Sequence, residues 1–130
     1  MTNHENEIAI RALISDWAEA ICTGDLDRIA ADRTNDIVMF DVPAPIQEKG
    51  IDAYRRTWAS FFRHNAAGPE RFRITELEIV AGDEVAFAHG LMTIGGGDAH
   101  CRLTLGLRKL GGRWRVSHEH HSIPIELGQP

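Results

Sequence analysis

The sequence predicts an α+β fold, in which a curled antiparallel sheet wraps around helices that come first in the chain. Apolar residues recur at helical spacing as far as His64, whereas the chain after Gly68 has the alternation of strands. Short glycine-containing connections separate the strand-like segments, which are therefore expected to pair antiparallel in chain order. We expect the helices to cover one face of this sheet, giving a cone-shaped single domain over residues 1–130.

Two helices are predicted before the first strand. Apolar residues fall at steps of four, three and four along residues 5–21, which places them on one stripe of a helix. This stripe consists of Ile10, Ile14, Trp17 and Ile21. Thr2 and Glu5 can form a capping box for this helix, and Gly24 can end it. Asp25 can then cap a short second helix.

A strand, an irregular loop and a third helix complete the first half of the chain. The strand is predicted over residues 37–42, and Pro43 and Pro45 exclude regular structure from there to Gly50. The third helix is predicted from about Asp52 to His64, because aromatic residues recur there at helical spacing. These residues are Tyr54, Trp58, Phe61 and Phe62. Such a stripe is more typical of a core than of a cofactor site.

Four strands are predicted in the second half, over residues 72–80, 84–94, 99–109 and 113–123. In the third of them, alternate apolar residues share one face, and these are Cys101, Leu103, Leu105 and Leu107. In the first, the apolar parity shifts between Ile74 and Leu77, which indicates a β-bulge that curls the sheet.

Composition excludes several classes of function. The net charge of −5 argues against a nucleic-acid groove, and no apolar run is long enough to cross a membrane. The first residues are polar and acidic, so we expect no secretory signal and a cytoplasmic location. Cys22 and Cys101 lie far apart in apolar contexts and are expected to be core thiols rather than a disulfide. A small molecule or a protein therefore remains as the expected binding partner.

The final strand carries the most informative residues of the chain. Trp114 and Val116 have the spacing of core residues, and the same parity sends His118 and His120 into the core. Glu119 and His121 would then lie on the opposite face, unless a bulge shifts the register. Two inward imidazoles need polar neighbours or a ligand, because burying them unpaired is costly. They are therefore either half of a pocket or two core histidines satisfied by their neighbours.

Four segments together resemble the SnoaL-like branch of the nuclear transport factor 2-like (NTF2-like) superfamily, which includes ketosteroid isomerase and scytalone dehydratase. The resemblance covers nearly the whole chain and implies the cone-shaped fold. The segments are Thr23-Gly24-Asp25-Leu26-Asp27, Phe40-Asp41-Val42-Pro43, Lys49-Gly50-Ile51-Asp52-Ala53-Tyr54 and Gly112-Arg113-Trp114-Arg115-Val116. Because this fold hosts enzymes, binding modules and assembly domains alike, function has to be argued from individual residues.

The catalytic residues of ketosteroid isomerase are only partly matched in this chain. Asp41 lies nine residues before Gly50, the spacing of that enzyme's general base. Where that enzyme has its oxyanion-hole tyrosine, this chain has Trp17, which has an indole N–H but no phenol. The position of its protonated aspartic acid falls at Thr104 or Leu105, and neither is an acid. Steroid isomerisation by the same machinery is therefore not expected.

The resemblance to scytalone dehydratase, which works with an aspartate and histidines, favours a different catalyst. We expect Asp41, His118 and His120 to perform proton transfer without a cofactor, as in an isomerase, lyase or cyclase. The expected pocket residues are Trp17, Tyr54, Trp58, Phe62, His89, Leu105 and Trp114. The alternatives are a non-catalytic ligand-binding or dimerisation module, and a metal site in which Asp41 completes the His-x-His pair.

The expected partners are a small hydrophobic or polar-aromatic ligand and a second copy of the chain. Members of the superfamily usually dimerise through the convex side of the sheet. If the parity holds, that side carries Arg115, Ser117, Glu119 and His121. No nucleic acid and no membrane are expected as partners.

Overall fold

The computed structural model describes residues 2–128. It confirms Thr2 and Asp25 as N-caps and Gly24 as the end of the first helix, and of the predicted capping box it shows the hydrogen bond to the Thr2 hydroxyl. Helix α1 spans Asn3–Thr23; the Thr2 hydroxyl accepts a hydrogen bond from the Glu5 amide, and Gly24 ends the helix with a φ of 71°. Helix α2 spans Leu26–Ala30, where the Asp25 carboxylate accepts from the Arg28 amide.

The rest of the chain forms one long helix and six strands within the described residues. The strands are β1 (Arg33–Phe40), β2 (Glu48–Lys49), β3 (Phe72–Ala81), β4 (Val85–Ile94), β5 (Cys101–Leu110) and β6 (Arg113–Ser122). Helix α3 (Ile51–His64) follows β2. The α+β class and the meander of four long strands are confirmed, whereas β2 was not predicted and β1 both begins and ends earlier than the expected residues 37–42.

The sheet is mixed rather than wholly antiparallel. Its strand order is β2-β1-β6-β5-β4-β3, and every neighbouring pair is antiparallel except β1 and β6. The last strand returns to lie parallel to the first long one, with Phe40 opposite His120. This pairing brings the end of β1 to the histidine-rich end of β6.

The core lies between one face of the sheet and the helices. Its members include Ile10, Ile14 and Trp17 of α1 and the four alternate residues of β5 that the sequence placed on one face. Cys22 and Cys101 are both free thiols, as predicted, and Cys101 is buried. Within residues 2–128, no helix is long and apolar enough to cross a membrane.

The bulge predicted in β3 is confirmed. The register with β4 shifts between Thr75 and Glu78, and Glu76 has a φ of 53°. Gly90 lies opposite this bulge, where an added Cβ would come within 3.0 Å of the Thr75 carbonyl oxygen. The glycine thus permits a close approach of two backbones.

A second bulge, in β6, reverses the predicted orientation of the histidines. Val116 pairs with Leu107 and His118 with Gly106, which leaves Ser117 as an extra residue. Val116 and Glu119 are both fully buried, although residues an odd number of positions apart would lie on opposite faces of a regular strand. The expectation that His118 and His120 point into the core is therefore wrong, and so is the placement of Glu119 and His121 on the outer face.

His118 and His120 lie instead on the outer face of the sheet. Their rings pack edge-on against Phe40, with centroids 4.8 and 5.4 Å from its ring. Nδ1 of His118 is 2.8 Å from the carbonyl oxygen of Val38. The outer face thus carries an aromatic cluster formed by Phe40, His118 and His120.

Candidate active site

Asp41 and His121 meet because β1 and β6 are parallel and in register. Phe40 is paired with His120, so the next residue of each strand projects side by side toward the inner face. Oδ1 of Asp41 lies 3.2 Å from Nδ1 of His121 and also accepts a 2.8 Å hydrogen bond from the Val42 amide. Of the catalytic residues predicted from the sequence, only Asp41 lies in this site.

His121 is clamped between two carboxylates. Its Nε2 lies 2.8 Å from Oε2 of Glu119, while its Nδ1 faces Asp41. Burial alone would lower the pKa of His121, but the hydrogen bonds and negative charges of Asp41 and Glu119 outweigh it and raise this pKa to about 9. His121 is therefore an imidazolium at neutral pH, with Nδ1 hydrogen-bonded to Asp41 and Nε2 held at ion-pair distance from Glu119 without hydrogen-bond geometry.

Glu119 connects this pair to a second buried charge. Its Oε1 accepts hydrogen bonds from Nη2 of Arg33 at 2.9 Å and from the Tyr54 hydroxyl at 3.0 Å. Burial would raise the pKa of Glu119, but the Arg33 guanidinium, together with His121, holds it below its ordinary value. The side chains of Arg33 and Glu119 are 1% and 0% exposed, so their charges depend on each other.

Tyr54 and Trp17 complete the inner end of the network. The Tyr54 hydroxyl accepts from Nε of Arg33 at 2.9 Å and from the indole N–H of Trp17 at 3.1 Å. The Arg33 guanidinium carbon lies 4.5 Å from the centroid of the Trp17 ring, within cation–π distance. Burial raises the pKa of Tyr54 despite the neighbouring arginine, so this phenol stays protonated.

A pocket of about 770 Å³ opens beside Asp41 and His121. Its walls are the loop after β1, one face of α3, the end of β4 and the facing ends of β5 and β6. The lining includes apolar residues, namely Phe61, Ile94, Cys101 and Ile123, and polar or charged ones, namely Arg56, Thr57, Ser60, Arg63, His64 and His100. Its size and its mixture of apolar wall and a few polar groups are those of a small-molecule site.

None of the seven residues expected to line the pocket is among its lining residues. Trp17, Tyr54, Trp58, Leu105 and Trp114 are buried core residues. Phe62 lines a separate shallow crevice beside Ile21 and Phe72. His89 is exposed and stacks on Phe87. Tyr54 and Trp58 of the helical aromatic stripe are thus core, as the spacing favoured, whereas Phe61 lines the pocket together with the polar side of α3.

Within this cluster, Asp41 is the group available to a bound molecule. Its side chain is 20% exposed, and Oδ2 has no partner among residues 2–128. His121 is 5% exposed, with Nδ1 hydrogen-bonded to Asp41 and Nε2 buried at ion-pair distance from Glu119, so it can orient and charge-balance Asp41 but does not present an N–H to the pocket. The arrangement therefore supports proton transfer at one carboxylate oxygen.

The alternative of a metal site formed by the His-x-His pair and Asp41 is not supported by the geometry. His118 and His120 lie on the face of the sheet opposite Asp41, and the part of the chain that the structure describes has no group of three or more ligating side chains suited to a metal ion.

Sequence reasoning missed Arg33, Glu119 and His121 as members of the site. A signal was present in Gly106, an isolated glycine in the middle of a predicted strand, which is typical of a position opposite a bulge. No comparable signal in the sequence marks Arg33, whose partner is 86 positions away.

Comparison with known proteins places this architecture in a family. A model of the SnoaL-like domain matches residues 10–126. An NTF2-like protein of unknown function from Pseudomonas putida KT2440 is 33% identical, with 98% of this chain and 92% of that one covered and a TM-score of 0.87. No curated protein matches.

More distant structures share the fold alone. A candidate dehydratase of the NTF2-like family from Streptomyces avermitilis is 12% identical, with 96% and 100% of the two chains covered and a TM-score of 0.79. A ketosteroid isomerase-like protein from Erwinia carotovora atroseptica is 20% identical, with 92% and 96% covered and a TM-score of 0.71.

Proposed function

This chain belongs to the SnoaL-like family of NTF2-like proteins, and on that premise we propose that it is a cofactor-independent isomerase or lyase with Asp41 as its general base. The observation that carries the proposal is the partly exposed Asp41 carboxylate, with Oδ2 unpartnered among residues 2–128, at the wall of a pocket of about 770 Å³. Oδ2 removes a proton from a carbon next to a carbonyl group. The protonated Asp41 then returns this proton to another atom of the substrate.

His121 is the positioning residue in this proposal. Its Nδ1–H fixes Oδ1 of Asp41 and so leaves Oδ2 to the substrate. Glu119 and Arg33 hold the imidazole in turn, because one oxygen of the Glu119 carboxylate lies at ion-pair distance from Nε2 of His121 and the other accepts a hydrogen bond from Arg33. This second set of contacts is the kind that keeps a catalytic carboxylate in a productive orientation.

Hydrogen exchange at carbon tests the proposal directly, because it detects removal of the proton whatever product follows. A panel of ketones, enones and β-hydroxy ketones is incubated with the protein in D₂O, and deuterium incorporation is followed by NMR. Asp41→Asn should slow exchange of any responding compound by about 100-fold or more. Asp36→Asn is the matched control, because Asp36 lies on β1 with its side chain 76% exposed. Equal rates in the two variants would refute the role of Asp41.

One observation favours the alternative of a non-catalytic binding module. Trp17, at the position of the ketosteroid isomerase tyrosine, donates its indole N–H to Tyr54, and Leu105 is fully buried. Neither residue is free to stabilise an oxyanion. If compounds from the panel stabilise the protein against heat but none exchanges deuterium, the pocket binds without turnover.

The expected homodimer stays a proposal, with a revised interface. The outer face of the sheet carries the aromatic cluster of Phe40, His118 and His120, and Phe87 and Val85 are also exposed on β4. These exposed apolar and aromatic side chains, which lie beside polar ones such as Arg102 and Thr104, are suited to contacts with a second copy of the chain. A monomer in light scattering at micromolar concentration would contradict this part of the proposal.

A further inference from the structure

One face of α3 presents two arginines to the pocket. Arg56, Ser60 and Arg63 fall at steps of four and three, so they form one stripe of the helix, and all three line the pocket. The Cα atoms of the two arginines are separated by about 10 Å along the helix axis, because each residue rises about 1.5 Å. Their side chains are long enough to converge on one group between them.

Both arginines lack an internal partner. Neither makes a hydrogen bond or an ion pair with any of residues 2–128. The neighbouring Arg55 differs, because its Nη2 contacts Oδ1 of Asp27 at 2.6 Å outside the pocket. A guanidinium that lines a pocket without a carboxylate of its own is available for a bidentate contact to an external anion.

The charges of the pocket also favour an anion. Arg56, Arg63 and the charged His121 are opposed by two carboxylates, Asp41 and Glu48, which leaves one net positive charge. The chain as a whole carries a net charge of −5. The pocket is therefore a positive region on a negative molecule, an arrangement that steers anions toward it.

We propose that the substrate is an organic anion, with a carboxylate or similar group bound by Arg56 and Arg63 and an apolar body packed against the wall. Phe61, Ile94, Cys101 and Ile123 supply that wall. The anionic end lies against α3, away from the Asp41 carboxylate that would repel it, so the reacting carbon lies near Asp41. The assignment of a substrate rests on the proposed function, whereas the anion site itself does not.

Two fluorescent probes with one body test the anion site. 1-Anilinonaphthalene-8-sulfonate carries a negative group, and N-phenyl-1-naphthylamine has the same rings without it. We expect Arg56→Gln with Arg63→Gln to weaken binding of the sulfonate about tenfold or more and to leave the neutral probe unchanged. Arg55→Gln should leave both affinities unchanged, because Arg55 lies outside the pocket. Ser60→Trp, which places an indole between the two arginines on the same stripe of α3, should weaken binding of both probes about tenfold or more.

Different outcomes separate the two proposals. Unchanged sulfonate binding in the double variant, equal loss of both probes in it, or full binding to Ser60→Trp would each overturn the anion site. Asp41→Asn should retain sulfonate binding while losing deuterium exchange. If the arginine variants behave as expected but Asp41→Asn exchanges normally, the anion site stands and the catalytic proposal fails.

Discussion

Nε2 of His121 lies 2.8 Å from Oε2 of Glu119, two positions earlier on the same strand. The side chains are 5% and 0% exposed, and Asp41 binds the other nitrogen of the imidazole. The buried imidazolium of His121 lies between the carboxylates of Asp41 and Glu119, and Arg33 contacts Glu119, so the four formal charges of the cluster sum to zero. Such a cluster links the stability of the fold to the geometry of the site.

The first prediction concerns the pH dependence of stability. The pKa of His121 is raised from 6.5 to about 9 in the folded protein, so its contribution is complete below pH 6.5 and is lost as the pH rises through 9. Over that interval, the free energy of unfolding should fall by about 3 kcal/mol more in the wild type than in His121→Gln. Urea denaturation at a series of pH values measures this, and parallel curves would show that His121 is not charged in the fold.

The second prediction concerns Glu119. Glu119→Gln should lower the free energy of unfolding by about 3–5 kcal/mol, because it leaves the buried charges of Arg33 and His121 without their shared partner. The control is Asp32→Asn, which breaks the exposed pair of Asp32 and Arg113 and should cost less than about 1 kcal/mol. If urea denaturation gave similar losses of unfolding free energy for the two variants, the buried network would contribute no more to stability than a surface ion pair.

The third prediction compares two glycines within strands. Gly90→Ala would place a Cβ 3.0 Å from the Thr75 carbonyl and 3.2 Å from Cγ2 of Ile74, so we expect a loss of about 1–3 kcal/mol. At Gly106 the nearest contact of an added Cβ is 3.4 Å, so Gly106→Ala should change the free energy of unfolding by less than about 1 kcal/mol. Equal denaturation midpoints would show that the close approach at Gly90 is not required.

The fourth prediction concerns the proposed dimer. Phe87→Glu should convert it to monomers, because a carboxylate cannot be buried in an apolar interface without a partner. Phe87 is 47% exposed on β4 of the outer face. Ile8→Glu is the control, since Ile8 is 56% exposed on α1 and not on the sheet. Sedimentation equilibrium reports the mass of each, and a Phe87→Glu dimer would rule out this face.

Local patterns were sufficient for the helices, their caps and the bulge in β3. The Thr2 cap, the Gly24 end and the Asp25 cap each depend on residues within a few positions of one another, so the sequence displays the whole interaction. The shift in apolar alternation between Ile74 and Leu77, which predicted the bulge, was likewise visible within a single strand. The loop aspartate Asp41 was identified by its spacing from Gly50, and it is the one predicted catalytic residue that lies in the pocket.

The sequence by itself determined the fold class, the helical and strand periods, and the family, because these depend on short-range spacing and on apolar residues that must be buried. Only the tertiary structure decided which histidine of β6 faces the pocket. That choice depended on one extra residue, Ser117, whose position is set by pairing with Leu107 and Gly106 on the adjacent strand. Since side chains alternate at every residue of a strand, one inserted residue exchanged the two faces and brought Glu119 and His121 to Arg33 and Asp41.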